Sequence, residues 1–183
     1  MSDAPVIETQ RLRLRAHRIE DFGPYADVFA SERSQHMNGP LTRRQAWFAF
    51  CSDIAQWHLF GHGAWGVEER GTGAFVGQVV LGRLPHFPEL ELGWFLVEGF
   101  EGRGYAQEAA QAARDYAYGE MGRDTLVSYI APRNARSIAL AERLGATPDP
   151  EAARPEGENA DHCVVYRHPS PDALGDGGME AYA

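Results

Sequence analysis

Residues 90–119, LELGWFLVEGFEGRGYAQEAAQAARDYAYG, contain the elements from which the fold of this chain is inferred. An apolar run at 92–97 predicts a strand, and a glycine-rich loop then leads into a helical pattern of alanines whose small face can pack closely on a sheet. Gly102 and Gly104 let a ligand approach the backbone, and the start of the helix offers unpaired N–H groups and a favourable dipole to a phosphate. The segment therefore predicts a site for a phosphorylated cofactor, with the reactive end of that cofactor at the strand.

The rest of the chain has strand and helix signals on both sides of this segment. Periodicity and turn residues predict a strand at 7–15, a helix at 19–30, a helix from the capping box of Thr42 and Gln45 to about Phe60, hairpin strands at 64–69 and 74–84, a strand at 125–130, a short helix at 135–144 that Gly145 ends, and a strand at 162–167. The polar stretch at 148–161 is predicted to be a loop.

The order of these elements is β-α-α-β-β-β-α-β-α-β, without an internal repeat or a linker. A chain of 183 residues suits one domain that buries roughly 70% of its unfolded surface. We therefore predict a single α/β (α+β) domain at 1–168, with helices flanking a mixed sheet. The adjacent hairpin strands make much of that sheet antiparallel. Residues 169–183 have almost no apolar pattern and are predicted to be a loose tail.

Composition excludes several classes of function. A formal net charge of −9 argues against binding to nucleic acid and requires that any polyphosphate be held by local donors. No apolar run approaches the ~20 residues of a membrane span, and the first ten residues lack the features of a secretion signal. Cys51 and Cys163 are too far apart in sequence for a metal motif, so no metal is predicted. Together these features predict a cytoplasmic location.

Three segments resemble a known family. The run EGRGYA at 101–106 is similar to the Q/R-x-x-G-x-G/A acetyl-coenzyme A loop of the GNAT acyltransferases. The runs ETQRLRLR at 8–15 and NARSIALAERLGA at 134–146 resemble segments of the branch that acetylates ribosomal-protein N-termini, the RimJ/RimL type. The three segments occur in the same order as in that family. Matching positions extend over about residues 7–167.

This resemblance implies an acetyl-CoA-dependent N-acetyltransferase with a GNAT-like fold. In that family the pantetheine arm of the cofactor pairs with the strand, and a strand N–H polarises the thioester oxygen. The backbone donors implied for the cofactor are those of Phe95, Leu96 and Val97 along the strand, and of Gly102, Arg103, Gly104, Tyr105, Ala106 and Gln107 around the pyrophosphate. The Arg103 side chain either pairs with phosphate or remains a solvated surface group. Asn134 is expected both to contact the cofactor and to cap its helix.

The catalytic residues implied by the resemblance are less well defined. The chain has Glu101 where the loop motif has Gln or Arg, although that position varies in this branch. It has Ala141 where many relatives have a tyrosine, which the resemblance implies is the acid that protonates the thiolate. Ser137 is a candidate replacement for that acid, and the alternative is a serine on the helix surface. Glu91 is the candidate general base, acting directly or by positioning a water that carries the proton. The alternative is that Glu91 is a glutamate on the solvated face of the strand without a catalytic role. His86, between two prolines, is a second candidate base.

The acceptor is predicted to be a primary amine. An α-amino group has a pKa of about 7.8, whereas a lysine at about 10.4 needs roughly 3.5 kcal/mol more help to become neutral at the same pH. A site with a weak base therefore favours an N-terminal amine of a protein or peptide. Trp47, Trp57, Phe60 and His62 could line the acceptor groove. Because helix aromatics are more often core, Trp47 and Phe50 are predicted to be core, and the sequence leaves both roles open for Trp57. The sequence leaves open whether the protein is a monomer or a homodimer.

Three other functions compete with this prediction. Acetylation of a small-molecule amine uses the same chemistry. A non-catalytic acyl-CoA-binding sensor domain would keep the cofactor loop without the base. A nucleotide-binding oxidoreductase is disfavoured, because the loop lacks the third glycine of the dinucleotide motif and follows a hairpin instead of opening a βαβ unit.

Overall fold

The computed structural model describes residues 4–175 and divides into two compact units. Unit 1 contains the chain up to Gly82 and Gly93–Ala113, and unit 2 contains Arg83–Leu92 and the chain from Arg114 onward. The strands are β1 (Ile7–Glu8), β2 (Leu12–Arg15), β3 (Ala64–Glu69), β4 (Phe75–Gly82), β5 (Glu91–Leu96), β6 (Val127–Ile130), β7 (Thr147–Pro148) and β8 (Val164–Arg167). The helices are α1 (Phe22–Ala30), α2 (Arg43–Phe60), α3 (Tyr105–Gly119), α4 (Ala135–Arg143) and α5 (Pro171–Gly175). The division between the units passes through β5 and α3, each of which is continuous. The predicted domain limits, 1–168 and 169–183, stay a prediction.

The strands form a mixed sheet in the order β1-β2-β3-β4-β5-β6-β8-β7. Neighbours are antiparallel from β1 to β4, and again where β8 pairs with β6 and with β7. Strand β5 pairs in parallel with β6, where Glu91 is opposite Val127. The predicted fold class, a largely antiparallel sheet flanked by helices, is confirmed. No helix among residues 4–175 is long and apolar enough to cross a membrane.

Three segments differ from their predictions. The single strand predicted at 7–15 is two short strands, because Thr9 closes a tight turn: its N–H donates to Leu12 O at 2.9 Å and its hydroxyl accepts the Leu12 N–H at 3.0 Å. The predicted loop at 148–161 begins inside β7, whose Pro148 pairs with Tyr166. The predicted loose tail contains the short helix α5, and residues 176–183 lie outside the described part of the chain.

Helices α1 and α2 build the aromatic core of unit 1. The predicted capping box starts α2, where the Gln45 N–H donates to Thr42 Oγ1. Phe50 is 2% exposed, as predicted, and its ring meets that of Tyr25 edge-on at 5.2 Å. The prediction of a core Trp47 is wrong, because Ala46 and Phe50 take the inward face of α2 and Trp47 stays 39% exposed against Phe22.

The other three groove candidates of unit 1 have different environments. Trp57 is buried and donates from Nε1 to Ala64 O at 2.9 Å, so it belongs to the core. His62 is buried with Nδ1 3.0 Å from Leu81 O. Phe60, at the end of α2, is 49% exposed and stacks on His62. Of these three, Phe60 alone presents an open aromatic surface.

Unit 2 contains a buried histidine that is held neutral. Ser128 Oγ donates its hydrogen to Leu92 O at 2.6 Å and therefore accepts from His168 Nε2 at 2.9 Å. His168 Nδ1 is buried and has no hydrogen-bond partner among residues 4–175. Burial, aided by the charge of Arg114, lowers the pKa of His168 from 6.5 to about 4.

This histidine is expected to make unit 2 sensitive to acid. The pKa of His168 is lower in the folded state than in the unfolded state. Its protonation therefore does not reduce stability above pH 6.5, and it lowers the free energy of unfolding progressively as the pH drops toward 4. Between pH 7 and pH 5 the free energy of unfolding should fall by about 2 kcal/mol through this group. Urea unfolding at both pH values measures the change. His168→Gln, which keeps an N–H for Ser128 and does not titrate there, should remove most of it. An equal fall in the variant would contradict the assignment.

Candidate functional site

The loop between β5 and α3 lies entirely in unit 1. Gly102 and Gly104 have φ angles of 73° and 77°, a left-handed backbone that favours glycine. These two residues turn the chain into the first turn of α3, which begins at Tyr105. The predicted order of strand, glycine loop and helix is confirmed.

The amides of this turn are not used by the described part of the protein. The first N–H groups of a helix have no partner within the helix. Among residues 4–175, no backbone or side-chain oxygen accepts a hydrogen bond from the N–H groups of residues 102–107. The next amide along the chain, that of Glu108, donates to Gly104 O at 3.1 Å. The loop therefore presents a row of unpaired donors that suits an anion.

Arg11 fixes the direction of one of these amides. Its Nη1 donates to Arg103 O at 2.7 Å. A trans peptide directs its C=O and N–H to opposite sides, so this bond turns the Gly104 N–H away from Arg11. The space beside Gly104 is limited, since a Cβ at this position would lie 3.2 Å from Arg11 Nη2.

Glu108 holds Arg11 in place from the first turn of α3. Its carboxylate accepts from Arg11 Nε at 2.7 Å, from the Arg11 N–H at 2.8 Å and from Thr9 Oγ1 at 2.6 Å. Burial opposes ionisation of Glu108, but these bonds outweigh it and lower its pKa. Sequence reasoning did not include Arg11 or Glu108 in the site. The available signal was the place of Arg11 in the N-terminal motif.

Two charged side chains of the loop point away from the amides. Glu101 Oε2 accepts the Gly99 N–H at 2.8 Å, and its carboxylate pairs with Arg33. Arg103 is 52% exposed, lies over the Phe100 ring at 5.3 Å and approaches Glu69 at 4.0 Å. Its phosphate contact stays a prediction.

The β5 backbone offers fewer donors than predicted. The Val97 N–H already donates to Val76 O at 2.9 Å, so it is not free to bind a ligand. Successive residues of a strand direct their N–H groups to opposite edges, so the Leu96 N–H points away from β4. Leu96 O shares that outer edge and accepts from Arg33 Nη2 at 3.2 Å. The Phe95 ring is buried against Tyr25 and Phe29.

Glu91 lies in unit 2, in the part of β5 that pairs with β6. Its side chain is half-buried and close to Tyr129 on β6. Burial, together with the charges of Glu89 and Glu91, raises the pKa of Tyr129 to about 12, so its hydroxyl is neutral. Glu89 is held by both Nη atoms of Arg167 at 2.8 and 2.9 Å. His86, the second candidate base, is exposed.

Asn134 and Ser137 also belong to unit 2. Asn134 Oδ1 accepts the Ser137 N–H at 3.2 Å, so the capping role predicted for Asn134 is confirmed. Its cofactor contact and the proton-donor role of Ser137 stay predictions. Ala141, in the tyrosine position of many relatives, is fully buried. Within residues 4–175, no three His, Cys, Asp or Glu side chains form a group that could hold a metal ion.

Comparison with known proteins identifies similar chains. The family model described as "Acetyltransferase (GNAT) domain" matches residues 11–147. A crystal structure of an acetyltransferase from Agrobacterium tumefaciens str. C58 is 46% identical over 92% of this chain and 96% of that chain, with a TM-score of 0.85. The Bacillus subtilis (strain 168) protein YkkB is 35% identical over 88 residues, 47% of this chain and 51% of YkkB. The chain thus spans about half the length of this curated relative.

A structure of RimL, ribosomal L7/L12 alpha-N-protein acetyltransferase, in complex with coenzyme A has a similar fold. It is 16% identical over 90% of this chain and 97% of that chain, with a TM-score of 0.70. At this identity the likeness concerns the fold alone.

Proposed function

The chain belongs to the acetyltransferase (GNAT) domain family, and from that premise we propose that it is an acetyl-CoA-dependent N-acetyltransferase. The acceptor is a primary amine, specifically the N-terminal α-amino group of a protein or peptide, as in the RimJ/RimL branch. The amine attacks directly in a ternary complex. The observation that carries the proposal is the row of unpaired amides at residues 102–107, of which that of Gly104 is oriented by Arg11.

These amides fit the pyrophosphate of coenzyme A. The two glycines keep the backbone free of side chains, and the dipole of α3 favours negative charge at its N-terminus. Because the overall charge of −9 opposes an anion at long range, such local donors are what binding requires. When bound, acetyl-CoA supplies an activated acetyl thioester.

The residues of this chain act on protons and on the carbonyl. Of the strand residues 95–97 expected to supply the polarising donor, we assign it to Leu96, whose N–H points away from β4. The Val97 N–H already donates to Val76 O. The Glu91 carboxylate takes the proton of the attacking amine, directly or through a water. Ser137 Oγ passes a proton to the departing sulfur and takes one from solvent water in return. A thiol with a pKa of about 8.5 leaves with little help, so this last role is the least demanding.

The choice of an α-amino acceptor rests on the weakness of the base. A half-buried strand glutamate can neutralise an amine of pKa about 7.8 far more readily than a lysine of pKa about 10.4. Acetylation of a small-molecule amine and a non-catalytic acyl-CoA sensor are the alternatives. Each makes a different prediction in the assays that follow.

Two assays test the proposal. At a hundred times its dissociation constant, acetyl-CoA should stabilise the protein by ~2.7 kcal/mol, a melting shift of about 5–11 °C, and NAD should give none. Thiol release is then measured with a panel of peptides with free N-termini, lysine side chains, polyamines and aminoglycosides. Labelled acetyl-CoA and mass spectrometry identify the acetylated atom. Turnover confined to small amines would replace the proposed acceptor, and binding without turnover would favour a sensor.

A further inference from the structure

Arg33 connects the segment after α1 to the cofactor loop within unit 1. It lies in the 3₁₀ turn Glu32–Ser34. Its guanidinium donates to Leu96 O at 3.2 Å and forms an ion pair with Glu101. Glu101 in turn accepts the Gly99 N–H at 2.8 Å. Arg33 thus contacts both the end of β5 and the first part of the loop.

Glu101 introduces a problem that Arg33 can solve. The position holds Gln or Arg in the loop motif of the family, whereas here it carries a carboxylate immediately before the row of unpaired amides. A negative charge so close to a pyrophosphate site opposes binding, and the interaction decays only as the inverse of distance. The acidic surface of the chain adds to this effect, since its net charge is −9.

We propose that Arg33 is a positioning residue for the cofactor loop, which cancels the charge of Glu101 and holds its side chain away from the amides. This inference rests on the proposed binding of coenzyme A at residues 102–107. It assigns a role to a residue outside the three segments that resemble the family. Loss of Arg33 would leave the Glu101 carboxylate ionised beside the phosphates without its cationic partner.

The state of Glu101 supports this role. Burial opposes ionisation, but the hydrogen bonds from its own N–H and that of Gly99, together with the charge of Arg33, outweigh it and lower the pKa of Glu101. The carboxylate is therefore charged at neutral pH. Glu101 therefore needs a positively charged partner when an anion binds beside it.

Calorimetric titration with coenzyme A tests the proposal on the whole protein at low salt. Arg33→Met should weaken binding at least tenfold. Glu101→Gln should bind at least as tightly as the wild type, because glutamine loses the charge and can still accept the Gly99 N–H. The double variant should return to within threefold of the wild type. Raising the salt concentration should shrink the defect of Arg33→Met, because exposed charges are then screened.

Arg18→Met is the matched control. Arg18 is an exposed arginine of the same unit that pairs with Glu68, so its loss changes the net charge equally without touching the loop. It should alter binding less than twofold. Melting curves without ligand show whether each variant is folded, and Arg33→Lys, which keeps the charge, should bind better than Arg33→Met.

The outcomes separate the two proposals. A wild-type protein that does not bind coenzyme A overturns the proposed function. A wild-type protein that binds, with Arg33→Met binding equally well, overturns the role of Arg33 alone. A folded Arg33→Met that binds weakly and is not rescued by Glu101→Gln also overturns it, because the defect would then not arise from the Glu101 charge.

Discussion

Gly104→Val is expected to abolish the melting shift that coenzyme A produces, which corresponds to at least a hundredfold loss of affinity. Gly104 has a φ of 77°, which a β-branched residue rarely adopts. A Cβ there would also lie 3.2 Å from Arg11 Nη2, so the guanidinium that binds Arg103 O would have to shift by a few tenths of an ångström. Both effects disturb the Arg103–Gly104 peptide, whose N–H points away from Arg11. Differential scanning fluorimetry with and without coenzyme A measures the loss.

Gly122→Val separates backbone strain from damage to the site. Gly122 has a φ of 62°, and a Cβ added there meets no atom within 4 Å. Both substitutions should lower the unliganded melting temperature, since a strained backbone costs about 1–3 kcal/mol. Gly122→Val should keep the full coenzyme A shift. If Gly104→Val kept it as well, the assignment of the phosphate site to this loop would be wrong.

Glu91→Gln is expected to reduce turnover by about ten- to a hundredfold at pH 6.5 and by much less at pH 8.5, the loss of a general base acting on an amine. Below the amine pKa of about 7.8 most of the acceptor is protonated, so removal of its proton limits the reaction. Above that pKa the acceptor is already neutral and the base matters little. The measurement is kcat/KM for a peptide acceptor across this pH range.

Glu89→Gln is the control for this pH profile. Glu89 is two residues earlier in the sequence, but both of its oxygens are held by Arg167. Its substitution should change turnover less than threefold and without a slope against pH. A defect in Glu91→Gln that is constant across pH would remove Glu91 from proton transfer.

Local patterns were sufficient for the elements around the site and for one of its caps. The alanine stripe predicted α3, the capping box predicted the start of α2, and Asn134 was predicted to cap α4. Each of these signals acts over a few residues of sequence. The glycine-rich loop of the candidate site also has a local pattern, so it too could be predicted from the sequence.

Contacts between distant segments were not predictable in the same way. The bond from Arg11 to Arg103 joins residues 92 positions apart, and nothing near either residue indicates the other. The Val97 N–H donates to Val76 O only because β4 lies beside β5. The residue pattern of one strand does not show which strand is its neighbour. The turn at Thr9 was missed because the alternation of arginine and leucine at 11–15 was extended back to Ile7, across the polar residues 8–10.

The hydrogen bonds from the turn between β1 and β2 to the loop and to α3 have a practical consequence for producing the protein. A product of proteolysis or of internal initiation that lacks residues 1–15 would contain the entire glycine motif and would still match most of the family model. It would lack Arg11 and Thr9, and with them the restraint on the Arg103–Gly104 peptide. Affinity for coenzyme A therefore tests whether the amino terminus of a preparation is intact.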